Sequence, residues 1–316
     1  MFCSGERIIT YFLVIVPLST LALPQKTLNK TLDDPSIWSP FKNDFDLERI
    51  SNSQKKTGKA SVQTNSLVSY SQPQLSTVPI YTSCSAPNAF SLTFDDGPSA
   101  FSSDLDGLMG YAGSKASYFI NGNNVGCIYD YADLLKQRFI NGHLIGSHTW
   151  SHPVLTECSY ETIHNELALL ENAMIKILGV KPLYFRPPYG AYNDLVLQVL
   201  AERGYKGLIL WNQDLKDSDS VPQGSPEMIE AFKTFPSQSI SLSHETMKTT
   251  VAEVMPLAIP DLKSKGYNLI SAAACLNQGT NSSEWYTYVQ EPSTRDSHFE
   301  GLLEMFLGKK IMDFQT

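Results

Sequence analysis

The hydrophobic and polar positions divide the chain into stretches of different texture. Residues 24–81 scatter their apolar side chains without helical or strand period, whereas from Cys84 onward short apolar runs alternate with helical patterns. A polar stretch without period cannot bury enough apolar surface to fold alone. We therefore expect a disordered or loosely wrapped leader over 23–81, one ordered domain over 82–276, and an extension over 277–316 that packs on it.

Seven apolar runs predict β-strands, at 89–94, 116–120, 143–147, 183–185, 207–211, 239–242 and 267–270. The stretches between them predict helices at 101–112, 128–140, 159–178, 192–203, 225–235 and 249–265. The helix at 159–178 has the clearest signals, because its apolar residues recur at three- and four-residue spacing along one face. Ser159 can cap its start, and Gly179 can end it in a left-handed conformation.

Strands that alternate with helices imply parallel pairing, since a parallel neighbour needs a crossover connection that is usually helical. The pattern predicts an α/β fold, a distorted (β/α) barrel of about seven parallel strands. No glycine-rich phosphate-binding loop follows any predicted strand, which disfavours a dinucleotide-binding domain. In such barrels the chemistry lies on loops at the carboxyl ends of the strands, and the polar clusters of this chain fall there.

Composition and charge narrow the class of partner. Apolar residues make up 42% and charged residues 18% of the chain, which excludes a wholly disordered or collagen-like protein. The formal net charge is −8. An acidic protein repels phosphate backbones, so we expect no nucleic-acid partner.

The first residues have the pattern of a cleavable signal peptide. Arg7 precedes an apolar run over 8–23, and small residues suit cleavage after Ala22. At about 16 residues the run is shorter than the roughly 20 that a membrane-spanning helix needs. We expect a signal peptide over 1–22, no transmembrane anchor, and secretion to the cell wall or the extracellular space. Asn29 and Asn281 lie in N-glycosylation sequons, which agree with that route.

Removal of the signal peptide leaves four of the five cysteines, Cys84, Cys127, Cys158 and Cys275. An even number in a secreted chain indicates disulfide bonds. Four cysteines allow three pairings, and all three stay open on spacing alone. None has CxxC spacing, so a cysteine zinc site is not expected.

A first set of polar residues has the composition of a metal site. Asp95 and Asp96 follow the first predicted strand, and His148 and His152 follow the third. Adjacent carboxylates at a strand end point in different directions, so one can bind a cation while the other acts on a water molecule beside it. Two imidazoles and one carboxylate suit a borderline divalent ion and leave positions for water and substrate. Taken singly, each pair also fits a solvated turn.

A second set has the composition of an acid–base site. Arg186, after the fourth strand, can hold a carboxylate bidentately. Pro187 and Pro188 stiffen the next turn, so that a backbone N–H can face a developing oxyanion. His244 follows the sixth strand, and a carboxylate such as Asp217 beside it would raise its pKa and keep it protonated, as a general acid requires.

Together these clusters resemble the five motifs of one family. The strings TFDDGPS, SHTWSHP, RPPYG, WNQDLKD and LSHE, in that order, are similar to those of the polysaccharide deacetylases, carbohydrate esterase family 4 with its NodB-homology domain. The run YFINGNN at 118–124 looks like the secreted fungal chitin deacetylases of that family. The resemblance extends from about Cys84 to Cys275.

The resemblance implies the residues that bind the metal and move protons. Asp95 would be the general base that takes a proton from water, and His244 would protonate the leaving amine. Asp96, His148 and His152 would ligate the metal, which in this family is usually zinc, with cobalt as an alternative.

It also implies residues that tune the chemistry and contact the substrate. Arg186 would orient Asp95, and Asp217 would tune His244. The backbone N–H of Tyr189 would bind the oxyanion, with the Tyr189 and Trp150 side chains against the substrate and Leu242 lining the pocket for the acetyl methyl group.

Two further features follow from the resemblance. It implies a disulfide between Cys84 and Cys275, which leaves Cys127 and Cys158 to pair. Ser218 departs from the family pattern, which usually has a Trp directly after the aspartate of the fourth motif. That Trp helps to wall the pocket, so the shape of the acetyl pocket is expected to differ here.

The resemblance implies a metal-dependent deacetylase that releases acetate from N-acetylglucosamine units of chitin or chito-oligosaccharides, and we expect it to act as a monomer. Two alternatives use the same scaffold. One is a chitin-binding protein with little turnover, and the other is an O-acetyl esterase on another polysaccharide such as acetylxylan. An acid–base pair beside metal ligands argues against a pure binding protein, because binding requires neither.

Overall fold

The computed structural model of the chain describes residues 77–219 and 224–293. The predicted signal peptide, the leader as far as residue 76, the sequon at Asn29 and the extension from residue 294 lie outside the described residues.

Eleven strands are formed by the described residues: β1 (Ile80–Tyr81), β2 (Ala89–Asp95), β3 (Ser117–Ile120), β4 (Leu144–Ser147), β5 (Val180–Pro182), β6 (Tyr184–Phe185), β7 (Gly207–Ile209), β8 (Gln213–Asp214), β9 (Ser239–His244), β10 (Asn268–Leu269) and β11 (Tyr286–Tyr288). Nine of them form one sheet in the order β1-β7-β6-β4-β3-β2-β9-β8, with β10 also paired to β2. Every pair in this sheet is parallel. All seven predicted strands are therefore confirmed, and the parallel α/β fold with them.

The sheet is curled into an incomplete barrel. β7 and β8 lie toward opposite ends of the strand order, yet only three residues separate them in the chain. Between them the Leu210 N–H donates to the Tyr81 carbonyl at one end, and the Asn212 N–H donates to the Ile240 carbonyl at the other. The chain therefore spans the gap between the two ends and brings all the carboxyl ends of the strands around one opening.

The part of the chain that the structure describes has seven α-helices: α1 (Ser102–Tyr111), α2 (Ala132–Ile140), α3 (Tyr160–Leu178), α4 (Asp194–Glu202), α5 (Ser225–Thr234), α6 (Met255–Ser264) and α7 (Ala272–Cys275). The predicted helices at 128–140 and 249–265 each begin with a non-α turn, a 3-10 turn at Ile128–Tyr131 and a π turn at Thr250–Val254. α3 has the predicted ends. The Ser159 side chain accepts a hydrogen bond from the Thr162 N–H, and Gly179 has a φ of 76°.

The core lies on both faces of the central strand. All seven residues of β2 are buried, including Phe90, Leu92 and Phe94. In a parallel barrel, helices cover one face of a strand and the side chains of the barrel interior cover the other, so β2 has no solvent face to fill with polar residues. The polar residue Asp95 at its carboxyl end is buried as well.

One predicted disulfide is present and the other is not. Cys84 and Cys275 are bonded, which joins residues 191 apart in the chain and ties the start of the domain to its end. The predicted Cys127–Cys158 bond is wrong, because Cys127 is in a disulfide and Cys158 is a free thiol. Cys158 follows the short 3-10 turn Leu155–Glu157, which turns its sulfur back toward the Val154 carbonyl.

Part of the predicted C-terminal extension packs on the domain. β11 pairs antiparallel with β5, and Trp285 and Tyr286 are buried. The Tyr286 hydroxyl accepts a hydrogen bond of 2.7 Å from the Ile145 N–H. Within residues 77–219 and 224–293, no helix combines the length and apolar character that crossing a bilayer requires.

Candidate active site

The strand order brings the polar clusters of the sequence to one edge of the sheet. β2 lies between β3 and β9, and β4 follows β3. In the β2–β9 pair, Asp95 stands directly opposite His244 in register. The loops after β2, β4, β6, β8 and β9 therefore surround a common opening, as predicted for the carboxyl ends of the strands.

Three side chains in these loops converge as a candidate metal centre. One ligand atom each from Asp96, His148 and His152 lies within 4.8 Å of the others. The Asp96 Oδ1 atom is 3.5 Å from His148 Nε2 and 3.2 Å from His152 Nε2. The set consists of two imidazoles and one carboxylate, which is the donor type that borderline divalent ions take in catalytic sites.

The protonation of these groups fits a cation between them. His148 Nδ1 lies 2.7 Å from the Arg186 carbonyl, to which it donates, so Nε2 has its lone pair toward the site. Burial lowers the pKa of His148 to about 3, so its imidazole is neutral near pH 7. Asp96 Oδ1 is buried and has no hydrogen-bond partner. The lone pair of His148 Nε2 thus faces a lone pair of Asp96 Oδ1 across a short distance, and a bound cation would satisfy both.

Left-handed backbone conformations aim these side chains. Among the described residues, eight non-glycine residues have positive φ, and five of them lie in the site loops: Asp96, Thr149, His152, Tyr189 and Lys216. Such conformations are disfavoured for residues with a Cβ and concentrate where function requires them. The two histidines consequently converge from a loop, not from one face of a helix.

Asp95 is held by Arg186 and stays next to the metal ligands. Arg186 Nη1 donates to Asp95 Oδ1 at 2.8 Å, and both residues are buried. Asp95 Oδ2 lies 3.9 Å from His148 Nε2, which is beyond hydrogen-bond distance. Burial raises the pKa of Asp95 against the opposing charge of Arg186. A carboxylate whose pKa is raised toward neutrality is a better proton acceptor.

The contact between Arg186 and Asp95 is single, whereas a bidentate pair was considered from the sequence. The other Arg186 nitrogens are engaged elsewhere: Nε donates to the Ile209 carbonyl at 3.0 Å, and Nη2 to the Leu210 carbonyl at 2.9 Å. Nη1 also donates to the Thr93 hydroxyl at 2.6 Å. The guanidinium is therefore fixed by the backbone near β7 and leaves one oxygen of Asp95 available.

His244, opposite Asp95, is bound by the carboxylate of Asp217. His244 Nδ1 donates to Asp217 Oδ1 at 2.7 Å, and the His244 N–H donates to Oδ2 at 2.8 Å. The Thr250 hydroxyl donates to the same Oδ2 at 2.6 Å. Burial would lower the pKa of His244, but Asp217, with the charges of Asp95 and Asp96, outweighs it and raises the pKa to about 9. The imidazole is therefore protonated at pH 7.

Ser218 has a role that the sequence did not assign to it. Its hydroxyl lies 3.4 Å from His244 Nε2, the nitrogen that points away from Asp217. Ser218, which stands where the family pattern usually has a Trp, therefore contacts His244 directly. The sequence showed the departure from the motif but gave no signal for this contact.

The predicted substrate contacts divide into exposed and buried residues. Tyr189 is 68% exposed, and its ring lies edge-on to that of His152 with centroids 4.7 Å apart. Leu242 is buried in β9, two residues before His244. Trp150 is only 7% exposed, because its indole packs where a Cβ on Gly122 would sit. Trp150 is therefore not an exposed aromatic, and its contact with the substrate stays a prediction.

Asn121 supports the histidine loop and was missed as a site residue. Its side-chain amide donates to the carbonyls of His148 and Thr149, and its own N–H donates to the Gly97 carbonyl at 2.9 Å. It therefore joins the loop that holds Asp96 to the loop that holds the histidines. Its position in the run at 118–124 was visible in the sequence, but its partners lie in other loops.

The arrangement can carry out hydrolysis of an acyl group. Asp95 and His244 stand opposite each other, the His244 imidazole is protonated at pH 7, and a candidate cation site lies beside Asp95. A proton acceptor, a proton donor and a Lewis acid around one opening are the groups needed to activate water and to expel an amine or alcohol.

The chain matches known proteins along the same stretch. Residues 82–208 match the family model described as polysaccharide deacetylase. A chitin deacetylase from Pestalotiopsis sp. is 39% identical over 223 residues, which is 68% of this chain and 73% of that protein.

Two solved structures share the fold. The chitin deacetylase from the fungal pathogen Colletotrichum lindemuthianum superimposes with a TM-score of 0.62 at 30% identity, over 67% of this chain and 96% of that one. A family 4 carbohydrate esterase from Streptomyces lividans, in complex with acetate, gives a TM-score of 0.52 at 25% identity, over 59% of this chain and 92% of that one.

Proposed function

Because this chain belongs to the polysaccharide deacetylase family, we propose that it hydrolyses the N-acetyl groups of N-acetylglucosamine units in chitin, leaving glucosamine units and acetate. The observation that carries the proposal is the register of β2 and β9, which sets Asp95 opposite His244 beside the converging ligands Asp96, His148 and His152. The similarity to fungal chitin deacetylases supports chitin as the polymer.

Asp96, His148 and His152 would hold a divalent ion, and zinc suits two imidazoles and one carboxylate. Such an ion supplies a Lewis acid that makes water acidic near neutral pH and polarises an acyl oxygen. The remaining steps belong to side chains and backbone groups of the chain itself.

Asp95 would accept the proton of the attacking water through Oδ2. Arg186 holds the other oxygen at 2.8 Å and so orients the carboxylate toward the site. Burial raises the pKa of Asp95, which strengthens it as a base. The backbone N–H of Tyr189, in the short turn Pro188–Gly190, would donate to the oxyanion that develops on the acetyl oxygen.

His244 would deliver the proton that the leaving nitrogen needs. Amine expulsion from an amide requires protonation, and the His244 pKa of about 9 keeps the imidazolium form available at neutral pH. Asp217 holds Nδ1, so the proton to be delivered is on Nε2. Leu242, two residues earlier in β9, would line the space for the acetyl methyl group.

The surroundings of the site fit a polymeric, uncharged substrate outside the cell. The exposed ring of Tyr189 offers an apolar face at the rim against which a sugar can pack. The predicted signal peptide, the sequon at Asn281 and the Cys84–Cys275 disulfide favour secretion or attachment to the cell wall. We further propose that the protein acts as a monomer.

The proposal is tested by product analysis on chitin oligomers of defined length, with zinc or cobalt supplied and with a chelator as control. We expect acetate and partly deacetylated oligomers, and loss of both on chelation. Release of acetate from acetylxylan but not from chitin oligomers would indicate an O-acetyl esterase. Retention on chitin without acetate release under any metal would indicate a binding protein and overturn the proposal.

A further inference from the structure

A cluster of buried charges behind the site takes no part in the chemistry described above. Arg138 in α2 and Glu245, directly after β9, are both fully buried, and Asp106 in α1 is largely so. Burial of charge is unfavourable unless every charged group is paired and hydrogen-bonded. The hydrogen bonds of this cluster therefore show which parts of the fold the buried charges hold in place.

Arg138 binds both carboxylates with complete sets of hydrogen bonds. Its Nη1 and Nη2 donate to the two oxygens of Glu245 at 3.0 and 2.6 Å. Its Nε lies 2.9 Å from each oxygen of Asp106. The guanidinium also lies 3.5 Å above the ring of Tyr118 in β3. Arg138 of α2, which holds Glu245, is thus itself held by Asp106 of α1 and Tyr118 of β3.

Glu245 in turn contacts the turn that carries the metal ligand Asp96. A Cβ on Gly97 would lie 1.8 Å from Glu245 Oε1, so the backbone at Gly97 rests directly on the carboxylate. The Ser99 hydroxyl donates to the Glu245 carbonyl at 2.8 Å. The Ser102 hydroxyl donates to Oε2 and accepts a hydrogen bond of 2.8 Å from the Ser99 N–H.

We propose that Glu245, clamped by Arg138, is a positioning residue of the active site that sets the turn of Asp96 against the strand end of His244. Glu245 is the next residue after His244, and Gly97 is the next residue after Asp96. The contact between Glu245 and Gly97 therefore fixes the general acid relative to a metal ligand through one short path. The inference rests on the proposed function for its catalytic consequence, but the placement of the two loops can be measured without turnover.

A second arginine–glutamate pair serves as a matched control. Arg203 binds Glu171 with bonds of 2.8 and 2.7 Å, and both residues are mostly buried. This pair joins α3 to the end of α4. α4 runs back from the carboxyl end of β6 to the start of β7, so the pair lies at the opposite edge of the sheet from the site.

The experiment introduces the same substitutions at both pairs in the full chain, Glu245→Gln with Arg138→Lys and Glu171→Gln with Arg203→Lys. We expect the first two to lower kcat for deacetylation about tenfold to hundredfold with KM within about twofold, because small displacements of reacting groups are costly. The second two should lower stability while kcat stays within about twofold of wild type. Ser102→Ala removes only the hydroxyl bridge and gives a milder variant that keeps the fold.

The imidazole signals of His244 in nitrogen-15-labelled, metal-free protein give a readout that does not depend on activity. They should shift in Glu245→Gln, Arg138→Lys and Ser102→Ala and stay unchanged in the Arg203 and Glu171 variants. Unchanged His244 signals, or equal losses of kcat at both pairs, would overturn the positioning role. If wild type releases no acetate but the His244 signals shift as expected, the proposed function fails and the positioning role stands.

Discussion

Two buried arginines lie on either side of the central strands, and they treat their carboxylate partners differently. Arg186 makes one hydrogen bond to Asp95 and gives its other nitrogens to backbone carbonyls and a hydroxyl. Arg138 binds two oxygens of Glu245 and both oxygens of Asp106. Burial lowers the pKa of Arg186, whereas around Arg138 the nearby acidic groups outweigh burial and raise the pKa.

The difference separates the carboxylate that we propose as the base from the carboxylate that we propose as a positioning group. Asp95 keeps one oxygen for solvent or substrate and has a raised pKa, so its ionised form is not fully stabilised by the fold. Glu245 has both oxygens occupied, by Arg138 and Ser102. A group that must change protonation during catalysis cannot be saturated with hydrogen bonds in one state, whereas a positioning group gains from saturation.

The largest expected effect is the loss of kcat in Asp95→Asn, and Glu245→Gln serves as the comparison for stability. Loss of the base should lower kcat by about 10² to 10⁴. Because the raised pKa means that ionised Asp95 is disfavoured in the folded state, its neutral analogue should lower the free energy of unfolding less than Glu245→Gln does, although Arg186 loses its carboxylate partner. Glu245→Gln should lower that free energy by about 3 kcal/mol, since it leaves a buried cation incompletely paired. Guanidinium denaturation together with acetate assays would show whether Asp95→Asn loses mainly activity while Glu245→Gln loses both activity and stability.

The next largest effect concerns a part of the scaffold remote from both arginines. Replacing Cys84 and Cys275 with serine removes a cross-link between residues 191 apart. The loop-entropy estimate gives a loss of about 5 kcal/mol in the free energy of unfolding, while kcat at 25 °C should be unchanged as long as the protein is folded. Cys158→Ser is the matched control and should change neither, because Cys158 is a free thiol. A loss of kcat in the folded double variant would show that the scaffold and the site are not separable.

A moderate effect should come from Asp217→Asn, which alters the acid rather than the base. In the proposed mechanism His244 must be protonated to act, so its raised pKa of about 9 predicts that activity is retained up to that pH and lost as the pH rises through it. The same shift adds stability below the unfolded-state pKa of about 6.5, and this stability is lost as the pH rises through about 9. Without the Asp217 charge the alkaline limb should move to lower pH, with kcat about tenfold lower at pH 7. An alkaline limb that does not move would remove His244 from the role of acid.

The smallest effect should come from Ser218→Ala. The hydroxyl lies 3.4 Å from His244 Nε2 at an exposed position, so its hydrogen bond is long and weak. We expect kcat to fall by about twofold to fivefold, corresponding to a net hydrogen bond of about 0.5–1 kcal/mol. Ser218→Thr, which keeps the hydroxyl, should retain the wild-type rate. Equal rates in wild type, Ser218→Ala and Ser218→Thr would show that the Ser218 hydroxyl does not affect His244.

The fold was predictable because its signals are local. Apolar runs and helical periods come from neighbouring residues, and the ends of α3 come from Ser159 and Gly179 within one turn of the helix. The parallel alternation of strands and helices then restricts the topology and puts the strand ends on one side. The residue types of the site, including Asp95, Asp96 and His244, were predictable for the same reason, because each follows its strand directly.

Local sequence is enough to predict which residues gather at the carboxyl ends of the strands, since strand ends and their loops are set by neighbours in the chain. The hydrogen-bond partners of each polar group depend instead on contacts between distant parts of the chain. The single contact of Arg186 with Asp95 spans 91 residues, and the double contact of Arg138 with Glu245 spans 107. The burial of Trp150 and the free thiol of Cys158 were likewise decided by the tertiary structure. Contacts over such separations depend on strand order and on backbone conformations such as the left-handed Asp96, which no local pattern specifies.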